Sequence, residues 1–247
     1  MKKTLSKKII IVSGGNGLLG KSIISDIKSH DGIPINLDVN HETSLDFLKI
    51  KCDITNKDSI DKAIELIIKK FKNIDGLVNA AYPRTKDWGN DFFEIKLESL
   101  KHNLDIQLAS CFYLTQQSIK HLIKNKNGSI VNIGSIYGEL GPDFSIYENT
   151  EMTMPAGYSI IKGGIINFTR YLASFLGRYN VRCNCVSPGG IFDNQNKLFV
   201  KQYEEKVPLN RMCLSSDISP LVSFLLSDDS KYITGQNINI DGGWSII

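Results

Sequence analysis

The run Ile9-Ile10-Ile11-Val12-Ser13-Gly14-Gly15-Asn16-Gly17-Leu18-Leu19-Gly20 restricts the fold of this chain more than any other stretch. A short apolar segment stops at glycines 14, 17 and 20, and a helical pattern follows. Missing side chains let the backbone turn tightly, approach a pyrophosphate and seat a helix against a sheet. The first turn of that helix then offers unpaired N–H groups to phosphate. A glycine-rich loop alone is a weak signal; between a strand and a helix it points to a dinucleotide cradle. The residues expected around such a cofactor are Ser13, Gly14, Asn16, Gly17, Leu18, Leu19 and Gly20.

The rest of the chain repeats the alternation. Apolar runs at 9–12, 34–39, 48–52, 76–79, 129–133, 181–186 and 237–240 mostly lack polar alternation, as parallel strands buried on both faces do. Amphipathic stretches lie between them; Ile60, Ile64, Ile67 and Phe71 repeat at helical spacing. The chain has 247 residues and 42% hydrophobic content, enough for one sizeable core. The expectation is an α/β fold: one Rossmann-type domain over 1–247, a doubly wound parallel sheet of about seven strands with helices on both faces. Residues 137–157 and 188–212 break the rhythm. Both follow strands at the edge where such folds bind ligands. For 137–157 a substrate loop and a plain surface excursion stand level. For 188–212 a lid is favoured.

Composition removes several function classes. Net charge is +3 with acids and bases mixed, so no basic face suggests nucleic acid. The basic start MKKTLSKK leads into a run too short for a signal peptide, and no stretch is long enough to span a membrane. A cytoplasmic protein is expected. The five cysteines, Cys52, Cys111, Cys183, Cys185 and Cys213, form no CxxC pair, so neither a disulfide framework nor a metal site is expected. Cys183 and Cys185 alternate along one run and read as small buried residues.

Asp38 ends the second run, 18 residues past Gly20. A carboxylate there accepts hydrogen bonds from both hydroxyls of an adenosine ribose and repels a 2′-phosphate. Val39, Asn40 and His41 supply no cation to hold one, so NAD is favoured over NADP. A solvated loop aspartate is the plain alternative. Asp53 and Ile54 follow the third run, and Asn79, Ala80 and Ala81 the fourth; both segments could touch the cofactor or be ordinary turns. Tyr158 and Lys162 are four apart, on one face of a predicted helix. A free phenol ionises near pH ~10. A neighbouring ammonium and a positive nicotinamide ring both stabilise the phenolate, bringing it into range for proton transfer. Alone, this spacing is a common accident.

Further motifs accompany it. Ile130-Val131-Asn132-Ile133 ends in Gly134-Ser135, the sixth run ends in Ser187-Pro188-Gly189-Gly190, and Asp241-Gly242-Gly243 follows the last. With this ordered set the sequence resembles the short-chain dehydrogenase/reductase family over essentially its full length. The resemblance implies Tyr158 as acid/base, Lys162 as its helper and as holder of the nicotinamide ribose, and Ser135 as donor to the reacting oxygen. It makes Asn103 the helical asparagine that holds a relay water, and Asn79 and Asp53 cofactor-wall residues. Pro188 and Gly189 would cover the nicotinamide, with the Ile191 backbone near its carboxamide. Three departures stand out. The glycine spacing resembles the family's longer sugar-nucleotide branch, whereas length and the Asp-Gly-Gly ending match the compact branch of about 250 residues. Ser135 and Tyr158 are 23 apart, wider than usual, with the surplus in 137–157. The usual threonine after Pro188-Gly189 is absent.

The segments 143–148, 152–155 and 190–195 resemble oxidoreductases of bacterial surface-carbohydrate and flagellin-glycan biosynthesis. That implies a sugar or amino-sugar substrate, phosphorylated or not, with Arg84, Ser135, Tyr147 and Tyr158 around it. Arg84 and Lys86 would hold a phosphate or carboxylate, or be solvated cations; Asp143, Glu148 and Glu151 would accept from hydroxyls or an amine, or be surface charge. The 158–176 helix is apolar nearly all round, which suggests a homodimer or homotetramer, or else an unusually thick core. Reversible hydride transfer is the leading activity. An epimerase or dehydratase with retained NAD and a non-catalytic NAD sensor are the alternatives.

Overall fold

The computed structural model describes residues 3–247. Seven parallel strands form one sheet in the order β3-β2-β1-β4-β5-β6-β7. They are β1 Ile9–Ser13, β2 Ile33–Asp38, β3 Lys49–Lys51, β4 Gly76–Asn79, β5 Gly128–Ile133, β6 Val181–Pro188 and β7 Asn237–Ile240. The order reverses between β1 and β4, so the chain's ligand crevice opens at their carboxyl ends. Strand side chains alternate faces. Ile9, Ile11, Ile35 and Leu37 pack with Ile60, Ile67, Leu114 and Leu172 on one side, and Ile10, Val12, Val78 and Val131 with Ile23, Ile27, Ile218 and Val222 on the other. The expected doubly wound α/β sheet is therefore present. One run differs: residues 48–52 shrink to the short edge strand β3, where Lys49 and Lys51 face solvent and only Ile50 is buried.

Among the described residues seven α-helices connect the strands: α1 Leu18–Ser29, α2 Lys57–Phe71, α3 Leu97–Leu104, α4 Ser110–Asn125, α5 Ala156–Leu176, α6 Lys197–Glu204 and α7 Ser215–Leu226. Asn56 caps α2 by accepting from Ser59 N at 3.0 Å, and Lys69 and Lys70 in the last turn suit its dipole. A π-turn, Asp105–Ala109, joins α3 to α4 and shifts the helical phase between them. Buried amides tie the layers together. Asn79 Nδ2 donates to Asn132 Oδ1 at 2.8 Å and to Thr115 Oγ1 at 3.0 Å, and Asn132 Nδ2 donates to Thr169 Oγ1 at 2.9 Å.

Candidate active site

A cleft of about 750 Å³ runs along the carboxyl ends of the strands. Its adenosine end is built by the glycine loop. Gly14 sits at φ +70°, and a Cβ there would lie 2.6 Å from Ala81 Cα. Ser13 Oγ accepts from Ala80 N at 3.2 Å and Ala81 N at 3.3 Å, drawing the tail of β4 against the loop. Asp38 is fixed by two backbone donors, Asn16 N and Asn40 N, each at 2.9 Å. Asn16, Gly17, Leu18, Leu19, Gly20, Asp38, Asp53, Ile54, Ala80 and Ala81 all line the cleft. A glycine cradle closed by backbone, a helix start and a fixed carboxylate together fit a dinucleotide.

At the other end Ser135, Tyr158 and Lys162 line the same cleft. Ser135 leaves β5 and caps a 3₁₀ turn, Ile136–Gly138, accepting from Tyr137 N at 3.2 Å. Gly138 packs so closely on α5 that a Cβ would lie 2.7 Å from the Lys162 carbonyl carbon. That contact brings strand end and helix start together although 137–157 intervenes. Lys162 Nζ donates to Ile133 O at 2.9 Å and stands 5.6 Å from the ring centres of both Tyr158 and Tyr82. Burial holds the other nearby phenols in their neutral form: Tyr147 and Tyr203 are each pushed up to about 12, and Tyr82 and Tyr137 further.

Comparison with known proteins agrees with this geometry. A family model described as enoyl-(acyl carrier protein) reductase matches residues 33–245. Post-translational flagellin modification protein A of Campylobacter coli is 36% identical over 98% of this chain and 100% of its own. The chain belongs to the short-chain dehydrogenase/reductase family. It is also 32% identical to a 3-oxoacyl-(acyl-carrier-protein) reductase of Buchnera aphidicola, over 98% of each protein. Its fold matches a short chain dehydrogenase from Leptospira borgpetersenii, solved with bound NAD+, with a TM-score of 0.88 and 34% identity over 98% of this chain and 94% of that one.

Within this short-chain dehydrogenase/reductase several expected residues stand elsewhere. Asn103 does not reach the cleft. Its Oδ1 accepts from Thr85 N at 3.2 Å, and its Nδ2 donates to Thr85 Oγ1 at 2.8 Å and Ser99 O at 2.9 Å. The π-turn is the reason, because the re-phased helix turns Gln107 toward Lys162 instead. Gln107, Lys162 and Asn79 share an internal cavity of about 20 Å³, room for one water. Gln107 Nε2 and Asn79 Oδ1 have no hydrogen-bond partner among the described residues. Ser13 and Asn79 line this small cavity and are not among the residues lining the cleft. Arg84, Tyr147, Pro188, Gly189 and Ile191 line the cleft, whereas Lys86, Glu148 and Glu151 do not. The Ile191 carbonyl is engaged by Gln195 Nε2 at 2.7 Å.

Further aromatic residues complete this end of the cleft: Tyr82 and Tyr137 from the segments after β4 and β5, and Phe199 and Tyr203, four apart on α6. The segment 137–157 is docked on residues 199–206. Asp143 pairs with Lys206, Lys206 Nζ donates to Ser145 Oγ at 2.7 Å, and Tyr147 stacks on Phe199 at 5.3 Å. The hydrogen bond from Lys206, then that from Ser145, holds the Asp143 carboxyl at about 2 against an ordinary 3.8. A depressed carboxyl contributes fully above its unfolded value and loses that contribution as pH falls through the folded one. Peptic cleavage within 138–154 is therefore expected to rise between pH ~4 and ~2, and Lys206→Met to show it already at pH ~4. A variant that cleaves like wild type at both pH values rejects this.

Proposed function

We propose that this oxidoreductase uses NAD and acts on a secondary alcohol or carbonyl of a sugar or amino-sugar derivative. The observation that carries the reading is one cleft with the Asp38 carboxylate at one end and Ser135, Tyr158 and Lys162 at the other. The carboxylate favours a free ribose 2′-hydroxyl over a phosphate. Bound NAD supplies the hydride acceptor. Tyr158 exchanges the hydroxyl proton, Ser135 donates to the same oxygen, and Lys162 supports the phenolate and the nicotinamide ribose. Neutral phenols around the substrate end suit hydroxyl-rich ligands, and Arg84 suits a phosphate or carboxylate on them. The relative named for flagellin modification supports a glycan setting.

Nucleotide sugars and sugar phosphates, offered with NAD+ or NADP+, test the reading by net NADH formation. Preference for NADP+, or turnover of an acyl-carrier thioester and no sugar, overturns it. Turnover of a sugar without net NADH would instead fit a transient oxidation by retained NAD.

Gln107 takes the place beside Lys162 that the resemblance assigned to Asn103. Gln107→Leu is expected to lower kcat about tenfold or more at unchanged melting temperature. Asn103→Ala is expected to cost about 2 kcal/mol of stability, because it frees Thr85 and Ser99. The reverse pattern in thermal melts and kcat would restore Asn103.

The outward face of α5 carries Ile160, Tyr171 and Phe175, with Phe112 of α4 beside them, all exposed. An apolar face of this kind supports a homodimer or homotetramer. Light scattering at micromolar concentration is expected to show at least a dimer, and Phe175→Lys to shift it toward monomer. A monomeric wild type rejects the assembly. No described helix is long and apolar enough to cross a membrane, and a cytoplasmic site of action completes the proposal.

A further inference from the structure

The segment between β4 and α3 contributes an aromatic cluster to the cleft that no motif announces. Trp88 Nε1 donates to Tyr82 Oη at 2.6 Å. The Tyr82 and Tyr158 rings stand 5.8 Å apart at 82°, and Trp88 lies edge-on to both, 6.0 Å from Tyr82 and 6.5 Å from Tyr158. Trp88 is itself fixed from below, since a Cβ on Gly157 would lie 3.2 Å from its indole. The whole segment is pinned to α3 through Asn103 and through Ser99 Oγ donating to Asp87 at 2.9 Å.

Lys162 lies in the notch of this cluster. Its Nζ and the two tyrosine ring centres form a nearly equilateral triangle, with sides of 5.6, 5.6 and 5.8 Å. Lys162 is only 8% exposed, and among the described residues its ammonium donates to Ile133 O alone. A buried ammonium with so few acceptors needs another source of negative potential. The π face of an aromatic ring within about 6 Å supplies it, most strongly where water is excluded.

We propose that Tyr82 is a positioning residue: its ring holds the Lys162 ammonium beside Tyr158, where it meets the nicotinamide ribose. The proposal rests on the NAD reading above. Trp88 packs edge-on against the Tyr82 and Tyr158 rings, and the Asn103 pin sets the height of the segment. Residues remote from the chemistry thereby determine where the cation stands.

The test is NADH affinity by calorimetry for wild type, Tyr82→Leu, Lys162→Met and the double variant, with ADP as probe of the adenosine end alone. Tyr82→Leu is expected to weaken NADH about tenfold, the scale of a desolvated cation–π contact, and to leave ADP within about twofold. In the Lys162→Met background the same substitution is expected to change NADH affinity by less than about twofold, because its target is gone. Equal losses in both backgrounds would make Tyr82 simple packing and overturn the proposal, as would an unchanged affinity in Tyr82→Leu. Tyr82→Phe covers a Leu variant that fails to fold. It keeps the ring and is expected to retain affinity within about threefold. A tenfold loss in a folded Phe variant would assign the effect to the hydroxyl and also overturn the proposal. A wild type that binds ADP but not NADH would sink the NAD reading itself, a result distinct from all of these.

Discussion

Tyr158→Phe is expected to lower kcat for hydride transfer about a thousandfold while leaving NADH affinity within about threefold. The substitution removes one oxygen and little else. The ring keeps its edge-to-face neighbours Tyr82 and Trp88, so the wall of the cleft is preserved. No other nearby phenol stands ready to take the hydroxyl proton. Tyr137, Tyr147 and Tyr203 are phenols that burial holds in the neutral form. Ser135 Oγ already accepts from Tyr137 N, which fixes it as a donor to the reacting oxygen and gives it no base of its own. Steady-state kcat with the sugar found by the screen, together with NADH calorimetry, checks the pair of effects. Residual activity above about a tenth of wild type would show that the proton takes another route.

Gly14→Val is expected to be severely damaging to the cofactor loop. Gly14 sits at φ +70°, which a β-branched residue adopts only under strain, and the new Cβ would lie 2.6 Å from Ala81 Cα. Backbone on both sides leaves nothing to swing away. Loop and β4 tail must separate, breaking the bonds from Ala80 N and Ala81 N to Ser13. A loss of about 3 kcal/mol follows, or a melting temperature lower by roughly 6–12 °C, with NAD binding weakened at least about a hundredfold. Gly141→Ala is the matched control, since a Cβ there meets nothing within 4 Å. Equal melting temperatures for the two variants would refute the steric argument.

The strands were legible because a residue buried on both sheet faces must be apolar. Residues 76–79 and 237–240 emerge as β4 and β7 with the same bounds, and most other strands differ by one or two residues at an end. The edge strand β3 is shorter than the run 48–52, in which Lys49 and Lys51 alternate with apolar residues and face solvent. Asp38, Ser135, Tyr158 and Lys162 were legible because strand ends and helix faces fix their positions. Asn103 was misplaced by a local event. The π-turn at 105–109 adds a residue to one turn, and helical spacing cannot anticipate it. Tyr82 and Trp88 escaped because 80–91 has no period, and their roles arise only from the contact with α5.

The ties between Asp143 and Lys206, and between Tyr147 and Phe199, have a consequence for how such enzymes diversify. This wall of the cleft is written in two distant stretches of sequence that are stitched together in space. A graft of 138–154 alone into a relative would strand Asp143 and Tyr147 without their counterparts on and after α6. A graft of α6 alone would do the converse. The packing of this face is therefore shared by a pair of segments, and a graft is expected to keep it only when both travel together.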